Sequence, residues 1–501
     1  MIQVPNTEEN RIKCLCKKCP SYPHKCSREI LYCSKGSSLL EVREGGCLCK
    51  SCSLYFEYDL KGHYFCDKEF LGDAFVLMRK KKKEEYSISY QKMVDIKTMA
   101  ETGKSVVSSM GSPKKMPFSF DDFHFIPAQI SKIPFNKEQN VKINISIGPN
   151  AKKPLHLSSP ILISGMSYGA VSGKTRAVIS HAAKNLNIGF NSGEGGVTNE
   201  EMEVASSQLI VQYSTGRFGL TEKILKKASA VEIRFGQGAY PGKGSYLPSD
   251  KINPELAQVR NLKKGEGAYS PAHHPDMKTP GKIKDKIEWI KKITHGVPVG
   301  AKIGCGNIED DIKILFEAGV DFISIDGFGG GTGGTDAFVR ENVGLPLIAA
   351  LPRAAHILNK LENQGENSNQ GNGASKNQNK VTLIAGGGLR TSADMAKCLA
   401  LGADAVYLGT AALIAINCQQ HRICHTGKCP TGITTHKSKL LEELNVPESI
   451  QKLENFIKVS NEEIAEFIRI IGKNDIHKLN KDDLISLNNE LSKLAHVKWL
   501  I

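Results

Sequence analysis

Three cysteines late in the chain, Cys418, Cys424 and Cys429, stand at spacings x5 and x4 and run into a Pro-Thr-Gly turn. Three thiolates cannot complete a four-cysteine zinc site, but they suit a [3Fe–4S] cluster, which takes three ligands. A larger group lies at the other end: Cys14, Cys16, Cys19, Cys26, Cys33, Cys47, Cys49, Cys52 and Cys66, nine of the chain's 14 cysteines. The triplet C-x-C-x2-C occurs twice, as CLCKKC and CLCKSC. Each copy is followed by a cysteine that has an aromatic before it, Tyr32 before Cys33 and Phe65 before Cys66. So short a segment cannot bury a large core, so this duplicated knuckle would draw stability from bound metal, zinc or a further iron–sulfur centre. The ferredoxin spacing C-x2-C-x2-C-x3-C is absent. The opening MIQVPNTEENRIKC lacks the apolar core of a signal peptide. Clustered thiols are therefore read as ligands in a cytoplasmic protein, not as disulfides.

Glycine supplies a second kind of chemistry. IAGGGLR, with Gly387 and Gly388, and YLGTAAL, with Gly409 and Thr410, each end an apolar run in glycine and open a helical one. Bare backbone N–H groups there suit a phosphate. Lys302 ends the apolar run VPVGAK, where a cation can stabilise a reduced, anionic flavin ring; a lysine reaching solvent along its stem is the plainer alternative. Glu194, Arg234, Gln237 and Lys251 lie beside glycine turns and could hold a carboxylate substrate, the arginine in bidentate fashion. His273 or His274 could ligate a metal, though a loop histidine that packs or hydrogen-bonds is the simpler reading.

These groups need a scaffold that brings distant segments together. Between about 156 and 435, short apolar runs such as ILIS, VEIRF, VDFISID, VTLIAG and ADAVYL alternate with helical stretches. Apolar strands alternating with helices imply a parallel sheet covered on both faces. With glycines and polar groups at the strand ends, the pattern predicts an α/β fold, a (β/α)8 barrel with its site at that rim. The expected organisation is a cysteine-rich module over 1–70, a linker over 71–114, the barrel over 115–440 and amphipathic helices over 441–501. Residues 361–380, rich in Asn, Gln and Gly, read as a surface loop. The formal charge is +14 in 501 residues. It is spread thinly, which fits an acidic electron carrier or anionic substrate better than nucleic acid. No run of about 20 apolar residues exists, so no membrane span is expected.

SGMSYGAVS, NSGEGG, QGAYPGKGS, DGFGGGTGGTD, GGGLRTSAD, LGTAALIA and the run from Cys418 to CPTGITT resemble, in that order, the synthase domain of glutamate synthase. The resemblance implies a TIM barrel carrying FMN and a [3Fe–4S] cluster on Cys418, Cys424 and Cys429. It places Gly165, Met166, Ser167, Lys302, Gly330, Gly387, Gly388, Gly409 and Thr410 around the flavin. Glu194 and Lys302 would be catalytic, and Arg234, Gln237 and Lys251 would lie near 2-oxoglutarate. The implied reaction is reductive amination of 2-oxoglutarate to L-glutamate. Electrons would come from ferredoxin or a separate reductase subunit, since no G-x-G-x-x-G dinucleotide domain is present. Ammonia would come free or from a separate glutaminase subunit. The N-terminal module resembles a small cysteine-rich domain of unassigned function found in methanogen proteins. Where the family has AKPGEGGQLP this chain has AYPGKGSYLP, changing Tyr240, Lys243, Ser245 and Tyr246. That keeps open another amino or keto acid substrate, and a non-catalytic iron–sulfur scaffold or sensor is a third reading.

Overall fold

The computed structural model describes residues 4–23, 29–36, 38, 42, 45–60, 62, 64–67, 92–263, 265–368 and 380–501. The chain divides into two compact units, Met1–Val106 and Val107–Ile501.

The larger unit is the expected barrel. Eight parallel strands close on themselves: β1 (Ile161–Ile163), β2 (Phe190–Asn191), β3 (Leu209–Tyr213), β4 (Ala230–Arg234), β5 (Val299–Gly304), β6 (Phe322–Asp326), β7 (Thr382–Gly386) and β8 (Ala405–Leu408). Closure is made where β8 pairs with β1 through Tyr407 and Leu162. The strands read as nearly unbroken apolar runs because both faces are covered. Inward-facing Leu162, Ile210, Ala230, Phe322, Ile384 and Tyr407 pack with Ile145, Ile147, Leu155 and Leu157. The last four belong to a hairpin, Ile145–Ile147 against Leu155–Leu157. At its turn the Gly148 N–H donates to Thr382 Oγ1 at 3.0 Å, at the start of β7. The hairpin therefore plugs the N-terminal end, leaving the C-terminal rim open for a site.

Local chemistry sets the helix ends. Ser172 caps Gly173–Leu186 by accepting from the Thr175 N–H. Thr391 and Asp394 form a reciprocal capping box at Ser392–Ala400. That box starts the helix directly after the glycine turn of β7 and so fixes where the turn points.

Three features differ from the expected layout. The helix Leu347–Ser368 runs eight residues into the polar segment expected as a loop, since Glu, Gln and Leu sustain a helix once it is nucleated; residues 369–379 lie outside the described ones. The two amphipathic stretches after residue 446 form one helix, Val446–Ile470. Beyond it, Leu484–Ser486 pairs antiparallel with Phe123–Phe125 and parallel with Lys498–Trp499, a small sheet where only helices were expected. Strands of two or three residues are too short to show a period of two.

Candidate active site

A cavity of about 770 Å³ opens at the C-terminal rim of the barrel. Its walls include all the barrel residues singled out from the sequence except His273 and His274: Gly165, Met166 and Ser167 after β1, Glu194 after β2, Arg234 and Gln237 after β4, Lys251, Lys302 on β5, Gly330 after β6, Gly387 and Gly388 after β7, Gly409 and Thr410 after β8, and Cys418, Cys424 and Cys429.

The glycine turns follow the seventh and eighth strands. Gly387 has φ +111°, and a Cβ there would come within 2.6 Å of the Gly327 carbonyl oxygen. Only glycine fits that conformation without strain. Gly388 and Gly409 differ, since a Cβ on either would meet no neighbouring atom closer than 3.9 Å. A side chain there would fill the cavity itself, so the room these two leave is ligand space. Arg390 and Arg422 line the same region; burial lowers the affinity of each for its proton, and each adds positive charge near the turns.

The floor is charged and almost dry. Lys302 Nζ lies 3.3 Å from Asp326 Oδ2, and their side chains are 5% and 11% exposed. Burial opposes the Lys302 charge, but Asp326 and then Glu232 more than offset it, so its pKa ends above the usual lysine value. The Lys302 ammonium faces the Tyr407 ring at 5.8 Å. Beneath, the fully buried Glu232 accepts from Asn191 Nδ2 at 2.8 Å, Gln212 Nε2 at 3.0 Å and Ser324 Oγ at 2.8 Å. This polar layer across β2, β3, β4 and β6 escaped the sequence reading. Its one signal is a polar residue set inside each apolar strand, as Gln212 in LIVQY and Glu232 in AVEIR.

Arg234 and Glu194 pair at 3.0 Å, each side chain 7% exposed. Arg234 Nη1 also donates to Tyr240 Oη at 3.1 Å and Gln237 Oε1 at 3.2 Å. The guanidinium expected to clamp a substrate carboxylate is thus already engaged by the protein. Glu194 accepts from Ser245 Oγ at 2.6 Å and from Ser270 Oγ. Burial raises its pKa, but Arg234 and the two hydroxyls outweigh that and hold it below the usual carboxylate value. Two of the altered positions, Tyr240 and Ser245, are therefore partners of this pair. Lys251 bonds instead to the Cys424 carbonyl oxygen, Nζ to O 2.9 Å, and braces the cysteine loop. His274 is buried between Arg217 Nη1 (2.7 Å) and the Arg234 carbonyl oxygen (2.9 Å). It packs, as the simpler reading held, and burial followed by Arg217 pushes its pKa down to about 3. His273 is exposed.

The three cysteines all line the cavity. Burial raises Cys418 and Cys424. At Cys429 the Thr431 and Thr434 hydroxyls outweigh burial and lower the thiol. Thr434 Oγ1 is buried and, apart from the Cys424 and Cys429 sulfurs beside it, has no hydrogen-bond partner. Among the described residues no three Cys, His, Asp or Glu side chains converge as around a single ion.

A closed parallel barrel with glycine turns after its last two strands and a buried lysine on the floor of its rim cavity has the architecture of a barrel enzyme. Residues 89–474 match the family model described as the conserved region in glutamate synthase, and residues 14–67 match one described as a protein of unknown function (DUF2769). The chain is 35% identical to a glutamate synthase large subunit-like protein of Rhizobium meliloti over 81% of this chain and 92% of that one. It is 32% identical to an archaeal glutamate synthase [NADPH] of Methanocaldococcus jannaschii, over 81% and 83%. It is 30% identical to an archaeal-type glutamate synthase [NADPH] of Dehalococcoides mccartyi, over 98% and 97%. The chain belongs to the glutamate synthase family and is an oxidoreductase of that kind. That membership sets the scaffold reading aside. Among the described residues no helix is long and apolar enough to cross a membrane.

Proposed function

We propose that this chain is the synthase component of a cytoplasmic glutamate synthase, reductively aminating 2-oxoglutarate to L-glutamate with FMN and a [3Fe–4S] cluster. The observation that carries this is a single cavity bounded by the glycine turns, by Lys302 and by Cys418, Cys424 and Cys429. The residues present fit both groups. Gly388 and Gly409 leave room that a Cβ would fill, Arg390 and Arg422 suit a phosphate, and Thr434 sets a buried hydroxyl beside the thiols.

When bound, the flavin would deliver hydride and the cluster would pass on single electrons. The remaining roles belong to the chain. Lys302, kept protonated by Asp326, holds positive charge at the floor. Glu194 stays ionised and anchors Arg234. Lys251 fixes the cysteine loop against the substrate side. Electrons would arrive from ferredoxin, or from NADPH through a separate reductase subunit, and ammonia free or from a glutaminase subunit.

Tyr240 and Ser245 contact the Arg234–Glu194 pair, which favours one second reading, the same machinery acting on another keto acid. Protein purified without oxygen separates the two. FMN, an oxidised three-iron EPR signal, and glutamate formed from 2-oxoglutarate, ammonia and reduced ferredoxin would establish the first reading. Both cofactors with amination of a different keto acid would establish the second. Protein that takes up no flavin on reconstitution would overturn both.

A further inference from the structure

The N-terminal unit repeats itself at a fixed offset. Cys14, Cys16, Cys19 and Cys33 become Cys47, Cys49, Cys52 and Cys66 when 33 is added to each number. Cys26 has no counterpart, since position 59 is Asp59, and it lies outside the described residues. The backbone follows the same offset. Each triplet encloses a short 3-10 turn, Cys16–Lys18 and Cys49–Ser51, entered from Leu15 (φ −90°, ψ 4°) and Leu48 (φ −92°, ψ 6°). Leu31 and Tyr64 both adopt positive φ, 64° and 55°. Their carbonyls accept from the Ser34 and Asp67 N–H groups, both at 2.9 Å.

The two halves do not sit side by side as separate knuckles. The Cys19 thiol donates to the Gly46 carbonyl at 3.5 Å and accepts from the Leu48 N–H at 3.5 Å, both flanking Cys47. The Cys52 thiol donates to the Lys13 carbonyl at 3.6 Å, next to Cys14. Gly46 is Lys13 plus 33, so the third cysteine of each half reaches across to the start of the other. Within the second half, the Tyr64 N–H donates to Cys47 Sγ at 3.2 Å, which brings the turn before Cys66 to Cys47. In the first half the Cys16 N–H donates to Cys14 Sγ at 3.5 Å. All eight described cysteines of the unit line one cavity, together with Leu15, Leu48, Tyr32 and Phe65.

We propose that this unit holds two four-thiolate metal centres with crossed ligand sets, one on Cys14, Cys16, Cys33 and Cys52, the other on Cys47, Cys49, Cys66 and Cys19. Eight thiols in one small apolar cavity, with no disulfide among the described cysteines, call for a thiophilic partner, zinc or an iron–sulfur centre, since soft thiolates in fours select these. The sets follow from neighbourhood, because no three described side chains converge on one point. In-line sets would instead keep Cys19 with Cys14 and Cys52 with Cys47.

The test uses the full chain and needs no activity. Zinc and iron are counted in the wild type, in the single variant Cys14→Ser, and in two doubles. Crossed sets predict that Cys14→Ser loses half of the metal held by this unit. Adding Cys52→Ser loses no more, because both belong to one centre; adding Cys19→Ser loses the rest. The reverse ranking of the doubles would overturn the proposal, as would a unit that binds no metal. A second measurement avoids variants that fail to fold. Wild-type protein is partly stripped with a chelator, alkylated and peptide-mapped. Cys14, Cys16, Cys33 and Cys52 should be labelled together in half-stripped chains, whereas co-labelling of Cys14, Cys16, Cys19 and Cys33 would sink the crossed arrangement. Zinc or iron in the wild type identifies the centre, and either is compatible with the crossed sets.

Discussion

The Arg234–Glu194 pair shows how much of the site rests on single buried contacts. Removing one partner of a buried pair strands the other charge, at a cost of about 3–5 kcal/mol. Glu194→Gln is expected to fall in that range in chemical unfolding. The pair also sets an acid limit. Glu194 titrates below its ordinary value of 4.5 in the folded state, so its contribution is complete above that pH and is lost as pH falls through the folded pKa. The thermal midpoint of the wild type should therefore drop more steeply below pH 4.5 than that of Glu194→Gln. His274 acts the same way over a higher window. Its folded pKa of about 3 lies under the usual 6.5, so acid favours the unfolded chain progressively from about pH 6.5 down to 3, and His274→Gln should flatten that part of the profile. Lys302 was legible in the sequence because it ends the apolar run VPVGAK, two residues before β5 itself ends. Glu232 was not, because one acid inside AVEIR looks like ordinary strand alternation until β2, β3 and β6 bring Asn191, Gln212 and Ser324 around it.

At the scale of elements, the turn after β7 joins fold to function. Gly387→Ala would force a Cβ to within 2.6 Å of the Gly327 carbonyl at φ +111°. The variant should fold, since only the rim is disturbed, but with flavin occupancy several-fold below wild type by absorbance. The long helix Val446–Ile470 serves the barrel wall. Its Glu454 accepts from Asn185 at 2.8 Å, and Leu453, Ile457 and Ile464 are fully buried. Leu453→Ala should cost about 2–5 kcal/mol in unfolding experiments and leave the cofactors in place. Most barrel strands were readable because apolar runs ending in glycine announce them. Phe190–Asn191 was not, being two residues long, nor was Leu209–Tyr213, whose run LIVQY carries no glycine at its end. The small sheet of Phe123–Phe125, Leu484–Ser486 and Lys498–Trp499 joins segments more than 350 residues apart, a pairing that no local pattern encodes.

For the whole molecule, the formal charge of +14 predicts that reduction by an acidic carrier is salt-sensitive. The second-order rate of reduction by ferredoxin should fall steeply as ionic strength rises, because screening at about 0.1 M already acts within about 10 Å; an unchanged rate would place the carrier's contact elsewhere than on a basic surface. The change of texture from a cysteine-dense segment to alternating strands and helices was visible in composition alone. The crossing of the two N-terminal halves was not, since identical spacings fit crossed and in-line sets equally and only folded contacts distinguish them. Those contacts carry a consequence for origin. One half alone owns three of the thiols for its centre and lacks the fourth, which stands in the other half. Two free copies of an ancestral half could have completed each other as a symmetric dimer. Tandem duplication would then have turned that encounter into an intramolecular one, trading dependence on concentration for a tether of fixed length.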